Sequence, residues 1–119
     1  MTHDEFLDDM KENFISLFDE KSTEPVDYDN LFIDYKESLE QNFERYLQLF
    51  KSQVVILSQA RKKGDELAMQ SALLILRTHA MSLTSFFDAI VEDAESLLRT
   101  GEWSKIPEGY KLPECYNKE

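Results

Sequence analysis

Three groups of residues have types and spacings that chemistry could use. They are His79, set in the apolar run QSALLILRTHAMSLTSFF (residues 70–87), the two ExxE pairs Glu37/Glu40 and Glu92/Glu95, and the lone cysteine Cys115. A metal-binding helix offers a second ligand three or four residues from its histidine, as in HExxH or ExxH. Around His79 those places hold Ile75, Leu76, Ser82 and Leu83, so the histidine reads as a packed side chain. Carboxylate pairs on neighbouring helices can hold magnesium for nucleotide hydrolysis. An all-α magnesium-dependent nucleotide hydrolase built on Glu37, Glu40, Glu92 and Glu95 is therefore one reading of function, and the third in rank. Against it, a chain with 24 acids produces such pairs by chance. Leu39 and Phe87 also occupy the apolar seam, which turns their neighbours Glu40 and Asp88 outward. Cys115 has no histidine near it in sequence, and neither GxSxG nor a phosphate-binding glycine loop occurs. The expectation is a protein without catalysis, metal or cofactor.

The elements that would carry these residues are helices. Only three glycines (64, 101, 109) and three prolines (25, 107, 113) punctuate 119 residues, and no period-two alternation competes. A first helix is predicted over residues 3–19, opened by a Thr2/Glu5 capping box and buried through Leu7, Met10, Phe14 and Leu17. After a loop around Pro25, a second helix is predicted from Asp27 or Asp29 to Lys62. Its face is Phe32, Tyr35, Leu39, Phe43, Tyr46, Phe50, Val54 and Leu57. RKKGDE then supplies cations for a helix C-terminus, a glycine able to turn left-handed and an N-cap at Asp65. A third helix follows over residues 66–99, with Met69, Leu73, Leu76, Ala80, Leu83, Phe87, Ile90, Ala94 and Leu97 in alternating steps of four and three. A second stripe through Ala68, Ala72, Ile75, His79, Ser82, Phe86 and Ala89 requires a second neighbour. The fold expected is all-α: a long antiparallel hairpin plus a shorter N-terminal helix, a three-helix bundle over residues 1–100. An irregular aromatic tail (101–119) is expected to pack on the bundle or on a partner.

Composition narrows the class of function. A hydrophobic share of 42% with 12% aromatics is enough for a packed core. No stretch reaches the roughly 18 apolar residues of a membrane span. The acidic start MTHDEFLDD is unlike a signal peptide and a single cysteine suits a reducing compartment, so a cytoplasmic location is expected. The net charge of −11 is uneven: residues 1–50 carry 14 acids against 4 bases, the rest 10 against 9. That field repels nucleic acid and anionic membranes and attracts basic proteins.

Two candidate surfaces follow. Asp34, Glu37, Glu40 and Glu44 form an acidic face for a basic partner, such as a nuclease or nucleic-acid-binding protein restrained by an inhibitor or immunity-type protein. Helix 1 is half as long as the hairpin, so the tip half stays uncovered although it is apolar on several sides. Val54, Leu57, Ala68, Ala72, Ile75 and His79 form the expected groove for a homodimer or a foreign helix. An assembly adaptor or chaperone working through that groove is the alternative reading.

Overall fold

The computed structural model describes residues 5–117 as a three-helix bundle with no strand among them. Helix α1 (Phe6–Lys21), α2 (Leu39–Lys63) and α3 (Glu66–Thr100) have 16, 25 and 35 residues. At 1.5 Å per residue they are about 24, 37 and 52 Å long. The molecule measures 59 × 36 × 28 Å with a radius of gyration of 19.6 Å. A compact chain of this length would have a radius near 13.5 Å, so much of the hairpin lies outside any globular core.

The hairpin forms where RKKGDE placed it. Gly64 adopts the left-handed conformation (φ 66°), its amide returning to the Ala60 and Arg61 carbonyls, and Asp65 caps α3 by accepting from the Ala68 amide. The packing side of α3 keeps Leu76, Leu83, Ile90 and Leu97 of the expected seam but is rotated away from Leu73 and Phe87, which are exposed. Ala72 is 1% exposed while Leu73 is 51% exposed; Ala72, Asp93 and Leu97 are buried, and Leu76, Leu83, Phe86 and Ile90 are half-buried on the same side. The apolar arc of α3 is wide enough for two stripes. The methyl of Ala72, like that of Ala60, allows close approach of the two backbones, which selects the line between them.

Helix α2 starts at Leu39, ten or more residues later than the apolar periodicity implied. A 3-10 turn at Tyr28–Asn30 is followed by irregular chain, because the Phe32 and Ile33 amides donate to the carboxylate of Asp93 on α3 instead of entering a helix. Ile33 is thereby inserted into the core with Leu7 and Leu39, packed by Met10, Phe14, Phe43, Phe86 and Ile90. Phe32 is turned outward and is not part of the α2 face. In α1 the buried positions are Leu7, Lys11 and Phe18, whereas Phe6 is exposed. Thr2 lies outside the described residues. Glu5 is the N-cap of α1 without a side-chain bond.

The tail is fastened only at its root. Ser22 and Gly101 form an isolated bridge, Glu102 donates its amide to the Lys21 carbonyl, and the Trp103 indole donates to the Leu97 carbonyl at 2.9 Å beneath the Lys21 ammonium. A Cβ on Gly101 would come within 2.5 Å of that indole nitrogen, so glycine is required by the close approach. Beyond Trp103, residues Ile106, Tyr110, Leu112 and Tyr116 are exposed, so this stretch is not packed on the bundle, the first of the two placements expected for the tail.

Candidate interaction site

The base of the molecule is held by carboxylates that sequence patterning passed over. Asp93 is 0% exposed; its Oδ1 accepts from the Phe32 amide at 2.9 Å, and its Oδ2 from the Ile33 amide at 2.8 Å and the Tyr35 hydroxyl at 3.0 Å. Burial, together with that hydrogen bond to Asp93, raises the Tyr35 phenol well above its ordinary value. Tyr28 is raised likewise by burial and by the Asp19 carboxylate, 2.7 Å from its hydroxyl.

The N-termini of α1 and α2 meet and cap each other. Asp8 accepts from the Leu39 amide at 2.7 Å, the Ser38 hydroxyl at 2.8 Å and the Glu40 amide, while Glu40 accepts from the Leu7 amide. Two positive helix ends brought together require negative charge, and these two carboxylates supply it. Burial pushes the Asp8 carboxyl up, but the Ser38, Leu39 and Glu40 hydrogen bonds and the Lys11 charge outweigh it. The carboxyl is held below its ordinary 3.8. Lys11 completes the joint by donating to the Glu37 carbonyl at 2.8 Å.

These bonds fix segment 31–38 as a lip over a cleft of about 610 Å³ between α2 and α3. Its floor is Leu39, Phe86, Ala89 and Ile90; Asn42, Tyr46, Ser82 and Ser85 line the walls, with Arg77 and Asp34 at the edges. The cleft opens onto a face that runs to the tip. On α2, Asn42, Leu49, Ile56 and Lys63 recur at intervals of seven, and on α3 Leu67, Leu74, Met81 and Asp88 do the same. Leu67 is 80% and Leu74 66% exposed; Leu49, Ile56, Ile75 and Met81 are also open to solvent. A further apolar strip, Leu73, Phe87, Val91 and Leu98, lies along the other flank of α3.

Of the residues expected to form a groove, Ala72 is closed off inside the hairpin, and Leu57, Ala68 and His79 are half-buried. Val54 and Ile75 are exposed, with only Ile75 beside the cleft face. The six therefore do not share one open surface. The open one was missed because its members lie outside the stripes read on the two helices, and the seven-residue spacing of 49/56/63 and 67/74/81 was the available signal. Of the acidic set, Asp34 makes a tight turn by accepting from the Lys36 amide, and Glu37 precedes α2. Glu40 is committed to α1, while Glu44 is exposed on α2. With Glu37 outside the helix and Glu40 engaged, the first ExxE pair is not a helical pair. Among the described residues no three His, Cys, Asp or Glu side chains converge as metal ligands, and no helix is long and apolar enough to cross a membrane.

In the fold, charge also divides along the long axis. Residues 45–82, the tip, hold six cations (Arg45, Lys51, Arg61, Lys62, Lys63, Arg77) and two acids (Asp65, Glu66), a net +4. Outside it, residues 5–117 hold 20 acids and 6 cations, a net −14. No family model matches the sequence, and no curated protein or solved structure matches it.

Proposed function

We propose that the protein is a non-catalytic assembly adaptor that works by holding another helical surface against the cleft face of its hairpin. The observation carrying this reading is the run of exposed apolar side chains, Leu49 and Ile56 beside Leu67, Leu74 and Met81, continuous with a preformed cleft. Soluble chains rarely leave so long an apolar strip uncovered unless it binds something. Its single cysteine fits a cytoplasmic setting. The test is affinity capture from the host at high salt, comparing the native chain with an Ile56→Asp/Leu74→Asp variant. Loss of the captured proteins in the variant is expected, and an unchanged set overturns the reading.

A second reading, an inhibitor or immunity-type protein for a basic partner, is favoured by the net −14 that the described residues carry outside the tip. In that case association is salt-sensitive and falls on neutralising the exposed Glu12, Asp19 and Glu20, while Leu74→Asp leaves it intact.

A further inference from the structure

We propose that the cleft face seats a second copy of this chain in antiparallel register, with Lys63 of each copy against Asp88 of the other. The proposal rests on the adaptor reading above and names the occupant of its face. Three observations converge on it.

The first is charge. The face begins at the tip with Lys63 and its neighbours Arg61 and Lys62, and it ends with Asp34 on the lip, which lines the cleft, and with the exposed Asp88, one heptad beyond Met81 on α3. Between them the 49/56 and 67/74/81 positions are uncharged, and Arg77 is the cation that lines the cleft. A surface basic at one end, apolar in the middle and acidic at the other is complementary to itself when reversed. Among the described residues the only ion pairs are Lys11–Asp8 and Lys36–Asp29, so Lys63 and Asp88 are not engaged within the chain.

The second is register. From the turn to Asp88 the face spans about 24 residues of α3, or about 36 Å. Reversing one copy over that length brings its turn to the level of Asn42 and Ser85, where the cleft lies and where the lip of Phe32 and Asp34 ends the face. The third is area. Two helices side by side are about 20 Å across, so the overlap covers about 700 Å² per copy, or 1,400 Å² in all, the size of a stable interface. Four helices then enclose one apolar layer, and the two acidic bases are kept at opposite ends of the assembly.

The experiment uses the purified full chain. Light scattering over a concentration series is expected to give a particle of twice 14.0 kDa, becoming monomeric in Leu74→Asp. Val91→Asp, on the opposite flank of α3, leaves it dimeric. Each cross-copy pair occurs twice by symmetry, so Lys63→Glu or Asp88→Lys alone weakens the dissociation constant roughly tenfold, and the double charge swap restores it. In a Cys115→Ser background, mixed Lys63→Cys and Ser85→Cys chains are expected to cross-link to each other, while Lys63→Cys alone does not cross-link to itself. Circular dichroism verifies that each variant is folded. A monomer at high micromolar concentration overturns the antiparallel pair and leaves the adaptor reading standing with a foreign occupant. A dimer lost in Val91→Asp, or cross-linked through Lys63→Cys to itself, overturns the proposed face or the direction.

Discussion

The base and the tip of this bundle are built from the same helices by different means. At the base, three helices and an irregular segment enclose Leu7, Phe18, Ile33, Leu39 and Leu97, and the geometry is fixed by buried polar groups. Asp93 holds two backbone amides and a phenol; Asp8 and Glu40 hold the two helix N-termini. At the tip there are only two helices, closed by alanines at 60 and 72 and a glycine turn, and most large apolar side chains face water. The contrast teaches where specificity resides. Directional bonds at the base permit one arrangement of the chain, whereas the tip has a non-directional surface suited to a partner.

The comparison breaks most severely at Asp93. Asp93→Ala leaves the Phe32 and Ile33 amides and the Tyr35 hydroxyl without their acceptor. A loss of about 3–5 kcal/mol in urea unfolding is expected; a loss under 1 kcal/mol would show that water replaces the carboxylate and that the base is not anchored there. The same joint responds to alkali. Tyr28 and Tyr35 have raised folded values relative to 10.0. The stability they confer is whole below pH 10 and is lost as pH rises through those higher values. Tyrosinate absorbance should show late-titrating phenols that become ordinary on unfolding, and titration of all five tyrosines together near 10 contradicts this.

A smaller effect is expected at the helix joint. Asp8→Ala leaves the Leu39 and Glu40 amides at the start of α2 without their acceptor, at a cost of about 1–2 kcal/mol near neutrality. The folded value of Asp8 lies below 3.8, so its contribution is complete above that pH and fades as pH falls through the lower folded value. The difference between native and variant chains should therefore shrink on acidification, and a constant difference down to pH 2 would assign the loss to packing alone. The tip offers the mildest break. Gly64→Ala meets no neighbouring atom within 4 Å but must hold a positive φ. It should cost about 1 kcal/mol in thermal unfolding. A much larger loss would mean that the turn is packed after all.

Much of this was legible in the residues themselves. RKKGDE specifies a helix end, a left-handed residue and a new N-cap within six positions, and each is a local preference that tertiary packing had no reason to override. The half-length of α1 and the exposed tip followed from counting residues between breakers. The late start of α2 was partly legible too. Ser38 and Gln41 match a capping box, and the Ser38 hydroxyl accepts from the Gln41 amide. Asp93 sits between Ile90 and Leu97 on the buried line of α3, a charged residue where an apolar one is usual.

What remained hidden were relations between distant segments. Periodicity gives the width of an apolar arc but not which line within it meets a neighbour, and that line was fixed by the small side chains of Ala60 and Ala72. Nor does local sequence reveal that residues 60 positions apart, Ile33 and Asp93, form a bond strong enough to keep a helix-compatible stretch unwound. The sequence by itself determined the helices, their turn and the sum of charge, because these depend on neighbours along the chain. Only the tertiary structure decided that the charge separates into a positive tip and a negative base, and which apolar strips remain open along the hairpin. Position along the folded axis exists only once the chain has doubled back.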